Sequence, residues 1–86
     1  MKSIEVARLI VDTKTCHLLR PRKGEYGQYD VKVFHQGGNK RGWAFWDLFS
    51  ASAVVKVYDA LSKENRAKYE SMNPLRMVDV AFKLIK

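Results

Sequence analysis

The chain has little of what disulfide-stapled, zinc-bound or membrane-spanning proteins need. Its 86 residues include one cysteine, which excludes an intramolecular disulfide framework and a cysteine-based structural zinc site. No apolar run approaches the roughly 18 residues of a membrane span. Residues 1–5 lack the continuous apolar core of a signal peptide. We therefore expect a soluble, cytoplasmic protein that makes no membrane contact.

Motifs for catalysis, metal binding and cofactor binding are also missing. The chain has no Gly-x-x-x-x-Gly-Lys or Gly-x-Gly-x-x-Gly motif and no paired-carboxylate signature. Cys16 and His17 are neighbours that point to opposite faces of a strand, and His17 and His35 lack a third metal ligand. We expect no enzyme, metal or cofactor. One catalytic alternative needs none of these motifs, a small ribonuclease that stabilises phosphorane charge with four side chains: Tyr26, His35, Lys40 and Arg41.

The composition combines an excess of positive charge with a high content of hydrophobic residues. Lys and Arg total 16 against 9 Asp and Glu, a net charge of +7, while 47% of the residues are hydrophobic. This content is too high for a disordered basic tail, and the length allows one small basic domain over residues 1–86. Residues 14–41 carry seven basic and two acidic side chains. Such clustering attracts a polyanion or an acidic protein face.

The residue pattern in the first half of the chain is typical of strands and turns. Ile4–Val11 is short, apolar and rich in β-branched residues, which is typical of a strand, and turn-forming residues follow it. Residues 16–20 predict a second strand, which Pro21 ends or places at a sheet edge. These features predict that the domain begins with two strands.

A third strand and its partner are predicted from alternation and a glycine-rich loop. Residues 29–35 alternate, so that Tyr29, Val31 and Val33 face one side and Asp30, Lys32 and Phe34 face the other. Three glycines in residues 36–42 indicate a loop, and residues 43–46 suit a partner strand. Residues 28–46 are therefore predicted to form a hairpin.

The second half has the spacing of helices. Apolar residues at i, i+3, i+4 and i+7 predict a helix over about residues 48–61, and either Asp47 or Ser50 can cap it. Ser62 is a suitable N-cap for a second, more polar helix over about residues 63–72. Both helices follow the predicted strands directly.

The last segment, about residues 74–85, fits a helix or a strand. Its start, Asn73-Pro74, and the Asp79–Lys83 spacing favour a helix, although alternating apolar residues also suit a strand. The resulting prediction is an α+β domain: an antiparallel meander of three or four strands over about residues 3–46, with two or three helices covering one sheet face. The predicted core residues are Leu9, Val31, Val33, Phe45, Val54, Tyr58, Leu61, Phe82 and Ile85.

Cations and aromatic residues occur together in two turn regions, residues 19–26 and 39–43, which we expect at opposite ends of the third strand. Phosphate contact needs cations and base stacking needs exposed rings. We therefore predict a nucleic-acid-binding domain, for DNA or RNA, in which the sheet and its loops supply nine contacts: Arg20, Arg22, Lys23, Tyr26, Lys32, Phe34, Lys40, Arg41 and Trp43.

The alternative is a protein-binding regulatory module. Accessory and inhibitor proteins of phages and mobile elements often have this size and act by covering an acidic face of a larger partner. The polar helix 63–72 supplies the expected contacts, Arg66, Tyr69 and Met72. A homodimer formed through the uncovered sheet face is one form of this alternative.

Overall fold

A computed structural model describes residues 1–35, 38 and 40–85, and only the backbone of Ile85. Within those residues the chain forms a three-stranded antiparallel sheet and four helices, which confirms the α+β class. The predicted loop residues Gln36, Gly37 and Asn39 and the side chain of the predicted core residue Ile85 lie outside this description. The elements in chain order are α1 (Ser3–Thr13), β1 (His17–Pro21), β2 (Tyr29–Val33), β3 (Ala44–Trp46), α2 (Leu48–Ala60), α3 (Lys63–Glu70) and α4 (Pro74–Ile85).

The sheet has the order β2-β1-β3, so the first strand in the chain is the central one. His17 lies opposite Val33 of β2 and Trp46 of β3. The predicted meander and the hairpin over residues 28–46 are therefore wrong, because β2 and β3 lie on opposite sides of β1. Burial explains the order: Leu18 and Leu19 are 2% and 0% exposed, and consecutive buried residues need cover on both sheet faces, which a central strand receives.

The first predicted strand is also wrong, because Ser3–Thr13 is the helix α1. Its buried residues form one helical stripe: Ser3, Ile4, Val6, Ala7 and Ile10. That stripe packs against α2, and this tertiary burial outweighs the strand preference of the β-branched residues. At the start of α1 the Lys2 backbone N–H donates to Glu5 Oε1 at 2.7 Å, which satisfies one of the free donors of the helix terminus.

The three later helices lie close to their predicted ranges. The Asp47 carboxylate accepts from the Ser50 backbone N–H at 2.7 Å, so Asp47 is the N-cap of α2. Ser62 caps α3 in the same way. Residues 74–85 are a helix rather than a strand, and Pro74 occupies its first position. No helix among the described residues has both the length and the apolar content that crossing a bilayer requires.

The core lies between the helices and one face of the sheet. Trp46 is fully buried, and its indole Nε1–H donates to the Pro74 carbonyl oxygen at 3.2 Å, which joins β3 to the start of α4. The Tyr69 hydroxyl joins α3 to α4 by donating to the Met77 carbonyl oxygen at 2.7 Å. Both bonds satisfy side-chain donors, the Trp46 indole N–H and the Tyr69 hydroxyl, that burial would otherwise leave unpaired.

The predicted core residues have mixed outcomes. Val54 is fully buried, and four others are half-buried against the core: Val31, Tyr58, Leu61 and Phe82. Leu9 is half-buried outside the core cluster. Val33 is 41% exposed because it ends an edge strand, and Phe45 is half-buried on the sheet face away from the helices.

The end of α1 gives a test of its helical assignment. Lys14 has a φ of 55° and donates its N–H to the Ile10 carbonyl oxygen, the left-handed C-cap geometry that glycine adopts without strain. We expect Lys14→Gly to raise the free energy of unfolding by about 0.5–1 kcal/mol in a urea titration. Asp12→Gly, inside the helix, should lower it by a few tenths of a kcal/mol. Equal effects of the two substitutions would contradict this end of α1.

Burial of Tyr69 predicts a loss of stability at high pH. Desolvation raises the pKa of the Tyr69 hydroxyl from 10.0 to about 12, so the unfolded chain releases this proton first. The contribution is fully present below pH 10 and is lost as the pH rises towards 12, at about 2 kcal/mol between about pH 9 and 11.5. Urea titrations should show that Tyr69→Phe loses about that much less than the original chain over this interval. An identical loss in both chains would sink the prediction.

Candidate nucleic-acid interface

The sheet face away from the helices gathers cations and aromatic rings. Leu18 lies opposite Lys32 of β2 and Phe45 of β3, and Arg20 lies opposite Asp30. Residues directly opposite in an antiparallel pair share a face, and the neighbours of each point the other way. The even-numbered side chains of β1 therefore lie on this face, while His17 and Leu19 point towards the helices.

Four cation–ring contacts and one ring–ring contact order this surface. The Arg20 guanidinium carbon and Lys32 Nζ each lie 4.4 Å from the centroid of the Trp43 ring. Lys40 Nζ lies 5.2 Å from the Phe34 centroid and 5.1 Å from the Phe45 centroid. The Phe34 and Phe45 rings meet edge to face at 4.8 Å. We call this set the cation–aromatic face: Arg20, Lys32, Phe34, Lys40, Trp43 and Phe45.

The connection from β2 to β3 helps to build the cation–aromatic face. The two strands flank β1, so the chain between them must cross from one sheet edge to the other. Lys40 is part of this connection, and its position over Phe34 and Phe45 places it on the side away from the helices. The connection leaves β2 at the end away from the turn of residues 22–28, and Lys40 then lies over part of this sheet face.

Burial separates the roles of rings and cations on this face. Leu18 is 2% exposed although it belongs to no part of the helical core, because Lys32 and Phe45 flank it on this side. The three rings are half-buried, whereas Arg20, Lys32 and Lys40 are exposed. Each cation–ring contact stabilises by about 0.5–1 kcal/mol at an exposed site. Phe45 thus flanks Leu18, and the rings hold the cations in place on this face.

Carboxylates neutralise one end of the face and leave the rest cationic. Asp30 accepts from Arg22 Nε at 3.1 Å and from Arg20 Nε at 3.4 Å, and Arg22 also pairs with Glu25 at 3.1 Å. Hydrogen bonds from Arg22 and then Arg20 hold the pKa of the Asp30 carboxyl below its usual range, so it stays charged. Within the described residues no carboxylate forms an ion pair with Lys32 or Lys40.

The structure brings together five of the nine sequence-predicted contacts, Arg20, Lys32, Phe34, Lys40 and Trp43. Arg22, Lys23 and Tyr26 lie in the turn between β1 and β2, and Arg41 lies in the turn before β3. The sequence interpretation missed Phe45, which it assigned to the core. Alternation along β3 was the available signal, because burying Trp46 towards the helices sends Phe45 to the opposite face.

The candidate ribonuclease residues are not gathered at one point. Tyr26 precedes the start of β2 and His35 follows its end, so the length of this strand, roughly 16 Å, separates them along the sheet. His17 is 5% exposed, and its Nδ1 lies 2.7 Å from the Thr15 carbonyl oxygen, a contact that holds the ring locally. Among the described residues no cluster of three or more His, Cys, Asp or Glu side chains is placed to hold a metal ion.

The residues proposed for protein binding on α3 are engaged within the domain. Arg66 donates from Nε to the Tyr58 carbonyl oxygen at 2.9 Å, and its guanidinium lies 5.0 Å from the Tyr58 ring centroid. Tyr69 is 2% exposed and Met72 is half-buried. These three side chains stabilise the packing of α3 and do not form an exposed patch.

A second exposed surface lies between α2 and α4. Phe49 is 73% exposed and stacks on Phe82 with a centroid distance of 5.4 Å, and Leu84 is 61% exposed. Two shallow hollows, of about 190 and 260 Å³, adjoin these residues, and Lys56 lines both. We call this surface the α2–α4 groove. It is apolar with one cation at its centre, and the sequence interpretation did not single it out.

Comparison with known proteins adds no family assignment. No protein-family model matches the chain, and no curated protein or solved structure matches it either. The functional interpretation therefore depends on the chemistry of the two surfaces.

Proposed function

We propose that the protein binds nucleic acid through the cation–aromatic face. The observation that carries the proposal is the placement of three exposed cations, Arg20, Lys32 and Lys40, over the rings of one sheet face. Ordered cations are the groups that contact a phosphate backbone, and they release its condensed counterions on binding. The net charge of +7 attracts the same ligand from a distance.

The rings favour phosphate binding by reducing its entropic cost. A lysine or arginine that becomes fixed on binding loses about 0.5–1.5 kcal/mol of side-chain freedom. Here Trp43, Phe34 and Phe45 already restrict the three cations before a ligand arrives. Rings that hold cations and are half-buried are less suited to base stacking, so the face supports contact with phosphates more than with bases.

The cations on this face are not equivalent. Lys32 and Lys40 have no carboxylate partner among the described residues, whereas Arg20 shares Asp30 with Arg22. A phosphate that approaches Arg20 must compete with Asp30 across the 3.4 Å contact. We therefore expect Lys32 and Lys40 to contribute most to affinity and Arg20 to contribute less.

The second candidate function is a protein-binding module. It now depends on the α2–α4 groove and not on the helix residues that the sequence suggested. The α2–α4 groove exposes stacked Phe49 and Phe82 around Lys56, which has no ion-pair partner among the described residues. Apolar contacts around a lone cation suit a partner with an acidic, partly apolar face. This candidate predicts that Phe49→Ser abolishes capture of such a partner and leaves nucleic-acid binding unchanged.

The salt dependence of oligonucleotide binding tests the proposed function. Contact of three cations with phosphates predicts that affinity for a labelled single strand falls roughly 20-fold between about 50 and 200 mM salt. Lys32→Gln should reduce the slope of log affinity against log salt by about 0.7, because one phosphate contact is lost. Fluorescence anisotropy measures both quantities.

Lys63→Gln is the matched control, since it removes the same charge from an exposed position on α3. It should leave the slope unchanged. Binding that ignores salt, or an equal effect of the two lysine substitutions, would contradict the proposed interface. Tighter binding of a poly-glutamate peptide of matched charge would favour the acidic protein partner instead.

A further inference from the structure

The turn between β1 and β2 presents an aromatic ring that the domain itself does not use. Tyr26 is 90% exposed, and among the described residues no cation or other ring stacks on it. It differs in this respect from Trp43, Phe34 and Phe45, which are half-buried and in contact with cations. Tyr26 is therefore the aromatic residue of this region whose ring is open to a ligand.

Backbone hydrogen bonds form the turn that carries Tyr26. The Arg22 N–H donates to the Gln28 carbonyl oxygen at 2.8 Å, and the Gln28 N–H donates to the Glu25 carbonyl oxygen at 3.1 Å. Gly24 and Gly27 have φ values of 81° and 82°, which only glycine adopts without strain. The exposed ring thus sits in a turn with its own hydrogen-bond pattern.

An open cleft adjoins Tyr26, between this turn and the loop that joins α3 to α4. Its volume of about 490 Å³ lies within the range of small-molecule sites. Tyr26, Met72 and Pro74 give it apolar walls, and Gln28 and Asn73 add side-chain amides. The Asn73 Oδ1 accepts from the Leu75 N–H, and its amide nitrogen donates to no described group. A flat ring with polar edges, such as a nucleobase, matches this lining.

Arg22 connects the cleft to the cation–aromatic face. Arg22 lines the cleft and donates to Asp30, which also accepts from Arg20 on the sheet. A strand whose phosphates follow Arg20 and Lys32 therefore reaches the cleft at the turn end of the sheet. An unpaired base can turn away from its neighbours and enter at low cost, whereas a base in a duplex must first lose its pairing and stacking.

We propose that the cleft beside Tyr26 receives an unpaired nucleobase, so that the protein selects single-stranded nucleic acid; this inference rests on the proposed function. The cations hold the backbone and Tyr26 stacks on the base. The side-chain amides of Gln28 and Asn73 face the polar edge of that base.

Three probes, compared at equal phosphate concentration, test the inference by fluorescence anisotropy at low salt. They are a single strand of about twelve nucleotides, the same sequence as a duplex, and an abasic chain of the same length. Tyr26→Ala should weaken single-strand binding about tenfold, since stacking on one base carries that order of affinity. Binding of the abasic chain and the salt slope should not change. Tyr26→Phe keeps the ring and should stay within about twofold of the original affinity.

The outcomes separate the two proposals. Equal affinity of Tyr26→Ala and the original chain for the single strand overturns base docking and leaves the phosphate interface standing. Tighter binding of the duplex than of the single strand also overturns it. Failure of all three probes to bind at low salt overturns the proposed function itself. Circular dichroism checks that Tyr26→Ala folds, which its exposure leads us to expect.

Discussion

Burial of β1 on both sheet faces is the constraint from which the two sides of this domain follow. Leu19 is covered by the helices, whereas Leu18 points away from them and is still 2% exposed. Leu18 does not belong to the core cluster that includes the helices, and its neighbours across the sheet are Lys32 and Phe45. The rest of this face consists of aromatic rings in contact with cations, and a cation can bury its methylene groups while its charge stays in water.

Because Leu18 must be buried on the face away from the helices, the side chains around it form a charged surface. Rings flank Leu18, and cations lie on the rings, so the outermost layer of the sheet face is positive. The arrangement differs from a surface of scattered lysines because the ring contacts fix the positions of the charges. Asp30 limits that charge at one end of the face, where Arg20 and Arg22 share it. In our proposal the turn that carries Tyr26 supplies specificity and the sheet face contacts the phosphates.

The parts of the fold that could be predicted from the sequence are those that depend on local chemistry. Asp47, Ser62 and Asn73-Pro74 mark helix starts by capping, and the structure confirms helices at all three. Alternation also placed Lys32 and Phe34 on one strand face. The helix α1 could not be recognised, because its β-branched residues suit a strand and only packing against α2 decides between the two.

The candidate interface was predictable in composition but not in arrangement. Arg20, Lys32 and Trp43 come from three strands or their ends, and they meet only because β1 is central. Strand order depends on contacts between residues far apart in the chain. The periodicity of apolar residues within one segment does not predict such contacts. The same order brings Lys40 onto the sheet face and sends Phe45 there instead of into the core. The exposure of Phe49 could not be predicted from the sequence either, because an apolar residue near a helix start is usually buried.

The two tryptophans allow a direct measurement of the central claim that the cation–aromatic face is the binding surface. Trp43 lies on this face, whereas Trp46 is fully buried on the other side, so their indole N–H signals report the two sides of one sheet in a single NMR spectrum. Addition of a short single-stranded oligonucleotide should shift the Trp43 signal progressively and leave the Trp46 signal in place. Binding that leaves Trp43 unmoved, or that shifts Trp46 and the amides of α2 and α4 instead, would contradict the account.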